Sequence, residues 1–313
     1  MRGRLGIYSV AGALLAAATI LAALRVGEEP GALSDWQALV LGIVQGLTEL
    51  LPISSSGHLI LVPWLADWRY LEENDAFNQT FDVALHFGTL VAVVSYFRAD
   101  IARLIAAWLR SVKRRRVETA DERLAWVVAI ATVPAAVIGA AAGSLIADHL
   151  GEPWQIAIFL AVFGVVLWIA DRGPERRNLN DVRYGEALAI GFAQALALAP
   201  GVSRSGITIS AARFRGLDRD SAARLSFLLL VPIVFGATLL EGVTEVLLGD
   251  LPAGWGGPFL VGVLAAAGAG LVAIDLLLGY VRRHDYSIFV LYRLALALFV
   301  AGLIASGVRD ATF

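Results

Sequence analysis

The stretch Gln45–His58, QGLTELLPISSSGH, decides the architecture. It lies inside the apolar segment 36–66, and an apolar run of about 20 residues ordinarily crosses a membrane as one helix. Pro52 stops a helix by removing a backbone donor, and Ser54, Ser55, Ser56 and Gly57 follow close behind it. Irregular backbone at membrane depth survives only where protein or a water-filled cavity covers it. The segment therefore reads as a re-entrant hairpin: a half-helix, a polar loop and a returning half-helix.

A second apolar segment, 184–213, is interrupted in the same way at Pro200–Thr208, PGVSRSGIT. Shifting the chain by 149 residues pairs Ala38 with Ala187, Leu39 with Leu188, Gly42 with Gly191 and Gln45 with Gln194. The register continues through Leu47 and Leu196, Ser54 and Ser203, Ser56 and Ser205, and Gly57 and Gly206. Shared Ala and Leu richness does not explain matches at Gln, Ser and Gly. Three full spans are expected after each hairpin. Because three is odd, the second copy must be inverted relative to the first, a plan known for membrane proteins that handle polar groups near the midplane.

Composition supports the membrane reading. Hydrophobic residues make up 58% of the chain and charged residues 17%, against about 45–50% and about 25% in soluble domains; mean hydropathy is +0.72. The absence of cysteine excludes disulfides, thiolate catalysis and cysteine-ligated metals. A net charge of −2 argues against a nucleic-acid partner. The fold class expected is all-α, a polytopic integral membrane protein of two inverted repeats. Each repeat is a re-entrant helix hairpin plus three transmembrane helices, and there is an extra N-terminal helix. Residues 1–27 form that helix, read as uncleaved rather than as a signal peptide. Residues 28–313 form a single membrane domain, with repeat 1 over about 36–170 and repeat 2 over about 184–308.

Arginine placement sets the orientation. Segments 2–4, 98–123, 172–183, 213–224 and 282–283 are arginine-rich, whereas 148–153 and 246–257 contain no Lys or Arg. The positive-inside rule puts the first set in the cytoplasm, with RSVKRRR (Arg110–Arg116) read as a solvated loop. Seven spans follow, at 5–24, 81–97, 124–147, 154–170, 225–245, 258–280 and 288–306. The N-terminus is then cytoplasmic, the C-terminus is outside, and hairpin 36–66 opens to the extracytoplasmic side of the plasma membrane.

The two loops hold complementary chemistry. Gln45 and Glu49 share a helix face, and a carboxylate within an apolar segment is functional by default. Ser54, Ser55 and Ser56 supply hydroxyls, Gly57 admits close backbone approach, and His58 adds a titratable ring. In the second loop Ser203, Arg204, Ser205, Gly206 and Thr208 stand at a helix start, where free N–H groups and the dipole favour an anion. The Arg204 fork suits phosphate; its structural alternative is a lock on Glu49. Together the loops describe a phosphate-processing site. Asp82 and His86 share a helix face and either line the cavity or pair. Asp275 is expected to pair with Arg293, and His149 and His284 to be solvated in loops.

Both motifs, in this order, resemble the signatures of the undecaprenyl pyrophosphate phosphatase family, the bacitracin-resistance phosphatases, and the likeness runs from about residue 36 to residue 308. It implies hydrolysis of undecaprenyl diphosphate to undecaprenyl phosphate and inorganic phosphate, which recycles the lipid carrier for peptidoglycan. It also implies Mg²⁺ or Ca²⁺, with Glu49 and Gln45 as metal residues; the family pattern admits Glu at position 45, so Gln removes one metal-binding charge. His58, Ser55, Glu49 and Arg204 are the catalytic residues expected. Ser55 attacks with His58 as base, or His58 activates water or is itself phosphorylated. Ser54, Ser56, Gly57, Ser203, Arg204, Ser205, Gly206 and Thr208 bind phosphate. Expected partners are a polyprenyl diphosphate lipid, membrane lipids and, as one assembly, a second copy in a homodimer. A lipid-carrier flippase or transporter built on the same repeats is the competing reading.

Overall fold

The computed structural model describes residues 2–24, 33–68, 75–247 and 255–312. Residues 25–32, most of the connection expected at 246–257, and part of the external loop expected at 59–80 lie outside the described residues. Twelve α-helices account for most of the described chain, and the single isolated bridge joins Arg177 to Leu217. In order they are α1 (Arg2–Leu24), α2 (Asp35–Leu50), α3 (Ser55–Ala66), α4 (Asp75–Tyr96), α5 (Arg98–Arg114) and α6 (Ala120–His149). Then come α7 (Pro153–Asp171), α8 (Tyr184–Ala195), α9 (Arg204–Phe214), α10 (Arg219–Glu241), α11 (Gly256–Val281) and α12 (Ser287–Ala305).

Both broken segments are helix–loop–helix hairpins, α2/α3 and α8/α9. Ser34 starts α2 with a capping box: its Oγ accepts from the Gln37 amide at 3.2 Å, while the Gln37 side chain accepts from the Ser34 amide at 2.9 Å. Leu50 ends α2 two residues before Pro52. In the second hairpin α8 tightens into a 3₁₀ turn at Leu196–Leu198 before the chain breaks at Pro200. The returning helices start behind serines in the left-handed half of backbone space, Ser54 at φ 79° and Ser203 at φ 74°. These two residues are partners in the 149-residue register.

Helix pairing repeats across the molecule. α2 packs on α11 and α8 on α6; α4 packs on α10 and on α11; α6 packs on α10; α7 packs on α12. Helices in lipid associate by close van der Waals contact between small residues. A Cβ at Gly42 would stand 2.4 Å from the Gly262 carbonyl oxygen, and one at the matching Gly191 would stand 2.6 Å from that of Ala131. Neither helix could approach as closely with any other residue.

Among the described residues six helices are long and apolar enough to cross a membrane: α1, α6, α7, α10, α11 and α12. The remaining expected span falls within α4, which has 22 residues but carries Asn78, Gln79, Asp82 and His86. Its composition rather than its length sets it apart. Leu291, Leu298 and Phe299 on α12, and Phe235, Leu239 and Leu240 on α10, are exposed, as lipid-facing side chains are.

The loop expected at Arg110–Arg116 is corrected in part, because Arg98–Arg114 is the helix α5. Ile101, Leu104, Ile105 and Trp108 recur at i, i+3, i+4 and i+7, which gives an amphipathic helix despite the arginines. Leu104, Ala107 and Ser111 are buried beneath it, and Ser111 Oγ accepts from the Trp126 indole at 2.8 Å.

Candidate active site

Glu49, on the last turn of α2 and buried, is the centre of the polar cluster. Ser55, the first residue of α3, donates its hydroxyl to Glu49 Oε2. Arg204, the first residue of α9, donates to Oε1 from Nε at 3.2 Å and from Nη2 at 3.0 Å. His86 on α4 places Nε2 3.4 Å from Oε2, and Gln45 donates to the same oxygen at 3.4 Å. A second link joins the tips: Ser205 Oγ donates to the Leu51 carbonyl at 2.9 Å. The two hairpin loops therefore meet, although about 150 residues separate them in sequence.

Much of the remaining expected set holds the backbone. Ser54 Oγ accepts from the Gly57 amide at 3.4 Å and Ser203 Oγ from the Gly206 amide at 3.1 Å, so both serines are N-caps. Ser203 and Ser205 hydroxyls lie 3.2 Å apart. Thr208, buried, donates to the Arg204 carbonyl at 2.7 Å and lies 2.8 Å from Ser226 Oγ. Ser56 is half-buried on the first turn of α3.

Two expected pairings change. His58 does not meet Ser55. Its Nδ1 stands 2.6 Å from the Ser54 carbonyl, four residues back on its own helix, and its Nε2 stands 2.7 Å from the Tyr292 hydroxyl. A carbonyl oxygen only accepts, so Nδ1 carries the proton and Nε2 accepts from tyrosine. The Arg204 fork, expected to face phosphate, is turned on Glu49, while its Nη1 donates to Ser226 O at 2.7 Å and Ser226 Oγ at 3.2 Å. One Nη2 hydrogen is left over from these bonds.

Nor does Arg293 pair with Asp275. Asp275 accepts from the Tyr8 hydroxyl at 2.7 Å on the face of α11 that receives α1. Arg293 instead donates to five backbone carbonyls at the hairpin tips and on α7.

The cluster favours an anion. The N-termini of α3 and α9 converge with Arg204 against a single carboxylate, and both helix dipoles present positive ends. Among the described residues no three His, Cys, Asp or Glu side chains gather as a ready metal site. Gln45 Oε1, however, is buried beside Glu49 without a hydrogen-bond partner among the described residues. An amide oxygen and one carboxylate suit a hard divalent cation when phosphate oxygens complete its shell.

Sequence reading missed Ser226 and Tyr292. Ser226 is one small polar residue in an apolar run, and Tyr292 is an aromatic in a lipid-facing helix; neither carries a signal by itself. His86 was legible only as a histidine one turn beyond Asp82.

Residues 38–299 match the family model described as bacitracin resistance protein BacA. The chain belongs to this family. The undecaprenyl-diphosphatase of Desulforudis audaxviator (strain MP104C) is 46% identical over 269 residues, covering 86% of this chain and 97% of the relative. That of Thermomicrobium roseum is 47% identical, covering 84% and 95%, and that of Geobacter sulfurreducens is 48% identical, covering 82% and 93%. The BacA match contains both hairpin loops and every residue around Glu49, and it leaves α1 outside. A BacA-family chain with six apolar spans is a multi-pass membrane protein.

Proposed function

We propose that this BacA-family protein is an undecaprenyl-diphosphatase. It hydrolyses undecaprenyl diphosphate to undecaprenyl phosphate and inorganic phosphate, recycling the lipid carrier for cell-envelope synthesis and conferring bacitracin resistance. The observation that carries the reading is the junction of the two hairpins, where Ser55 is hydrogen-bonded to the carboxylate that Arg204 pairs with.

Ser55 is the nucleophile. Its Oγ attacks the terminal phosphorus, and its proton passes to Glu49, the base already within hydrogen-bond reach. The bond between phosphorus and the bridging oxygen breaks, its electron pair leaving with undecaprenyl phosphate. Water then attacks the phosphoserine and gives a proton to His58, once the ring has released Tyr292. The phosphorus–Oγ bond breaks and Oγ recovers its proton from Glu49. Arg204 and the first amides of α3 and α9 steady the charge on the transferring phosphoryl group, where electrostatics and positioning dominate. Ser56 adds a hydroxyl to the phosphate cradle; Ser54, Gly57, Ser203, Ser205 and Gly206 shape it through the caps and the hairpin link, and Thr208 through its bond to the Arg204 carbonyl. Glu49 and Gln45 would hold Mg²⁺ or Ca²⁺ together with the diphosphate. The cation would neutralise phosphate charge.

The hairpin with Glu49 opens to the extracytoplasmic side, and residues 28–313 form one domain of two inverted repeats. Support comes from helix pairing: exchanging α2, α4, α6, α7 for α8, α10, α11, α12 turns the α2–α11 pair into α8–α6 and the α4–α11 pair into α10–α6, and returns the α4–α10 and α7–α12 pairs to themselves. Inverted repeats also suit alternating access, the basis of the flippase reading. Phosphate release from purified protein in detergent, where no gradient exists, tests the proposal. Lipid movement in proteoliposomes without any phosphate release would refute it. A reporter fused after Phe313 that registers as cytoplasmic would overturn the orientation.

A further inference from the structure

Arg293 is one of the largest fully buried side chains in the molecule, with no exposed surface, on a helix whose other faces meet lipid. Taking a charge out of water costs several kcal/mol even after relaxation, and a buried arginine is ordinarily matched by a carboxylate. Among the described residues Arg293 forms no ion pair. Its Nε donates to the Leu160 carbonyl at 3.0 Å and its Nη1 to Pro52 O at 3.3 Å. Its Nη2 reaches Gly201 O at 2.9 Å, Val202 O at 3.1 Å and Phe159 O at 3.3 Å.

The identity of these acceptors matters more than their number. Pro52 belongs to the loop of the first hairpin, Gly201 and Val202 to that of the second, and Phe159 and Leu160 to α7 beneath both. Loop carbonyls buried in a membrane have no ladder to satisfy them, and each left unpaired is costly. One planar guanidinium therefore bonds both broken loops at once. The first turn of α9 leaves space for it, since a Cβ at Gly206 would stand 3.0 Å from Arg293 Nη1. Ser55 lies three residues beyond Pro52, and Arg204 two beyond Val202.

We propose that Arg293 is a positioning residue for hydrolysis, fixing the first hairpin loop against the second so that Ser55 and Arg204 address the same phosphoryl group. The inference rests on the phosphatase reading. A lysine in its place has three donors at a single point and cannot span carbonyls on three elements. Misplacing reacting groups by about 1 Å costs up to about 10²-fold, so the loss falls on kcat and leaves KM nearly unmoved.

The test uses the full-length protein with Arg293→Met and Arg293→Lys. Val300→Ala is the control, a buried position two turns along the same helix and remote from the loops. The chain has no native cysteine, so Ala66→Cys and Leu196→Cys, both exposed and one on each hairpin, accept a pair of spin labels. Both Arg293 variants are expected to lose about 10–10²-fold in kcat with little change in KM, and to broaden the distance distribution between the labels. Val300→Ala should lower Tm while keeping kcat and the distribution. Arg293→Met with near wild-type kcat, unchanged label distances, or a Val300→Ala variant equally impaired overturns the inference. If the methionine variant does not fold, the lysine variant decides by the same criteria. Wild-type protein that releases no phosphate defeats the phosphatase reading instead, and the label distances still report whether Arg293 joins the loops.

Discussion

The two hairpins have one backbone and opposite chemistry. Each restarts at the same register position, behind a serine at positive φ whose hydroxyl caps the amide three residues on. Such a conformation costs a non-glycine residue about 1–3 kcal/mol and persists where the surroundings over-determine it. At the next position the copies diverge, with Ser55 in one and Arg204 in the other, both opening a returning helix. Glu49 in the first hairpin corresponds to Leu198 in the second. Gln45 donates to Glu49, whereas the amide of its counterpart Gln194 is buried with no hydrogen-bond partner among the described residues. The paired hairpins aim two helix N-termini at one place. In the proposed mechanism the first carries the nucleophile and base, Ser55 and Glu49, and the second the cationic Arg204.

Removing the cation should break that division most severely. Arg204→Ala is expected to lower kcat by about 10³–10⁵-fold, the range for a guanidinium that stabilises a transferring phosphoryl group. Arg204→Lys should stay strongly impaired, because an ammonium cannot bond Glu49, Ser226 and phosphate together. Phosphate-release kinetics on variants of matched Tm decide this; a lysine variant near wild-type kcat would leave Arg204 only a structural lock.

Within the first hairpin, Glu49→Gln and His58→Ala should each cost about 10²–10⁴-fold, but at different steps. Loss of Glu49 stops attack by Ser55, so no phosphoserine forms. Loss of His58 slows its hydrolysis, so labelled phosphate should accumulate on Ser55. Equal labelling in the two variants would sink the assignment of separate steps. Tyr292→Phe frees His58 Nε2 and is expected to change turnover by less than about tenfold, which steady-state rates will show.

The smallest effect probes the shared backbone. At Ser54 and at Ser203, glycine relieves the positive φ and costs only a few tenths of a kcal/mol as a cap, while alanine loses the cap, about 1 kcal/mol, and keeps the strain. Thermal unfolding should rank Gly at or above Ser and Ala below it, by similar amounts in both hairpins. Opposite rankings at 54 and 203 would mean that the two caps are not equivalent.

The sequence by itself determined the membrane class, both hairpin breaks and the residues at their tips, because proline, glycine and serine clusters disrupt apolar runs wherever they stand. It also held the stripe of α5, at Ile101, Leu104, Ile105 and Trp108, beneath arginines that drew the reading toward a loop. Pairing was another matter. Ser55 and His58 are three residues apart and suggest a dyad, yet His58 turns back to its own Ser54 carbonyl and out to Tyr292, more than 200 residues away. Arg293 looks like a mate for Asp275, yet it bonds loop carbonyls. A buried polar group takes whichever partner the packed helices bring within about 3 Å, and backbone carbonyls carry no side-chain identity to read. Which groups carry chemistry follows from residue type and local breaks; which of them touch was decided only when the two hairpins met.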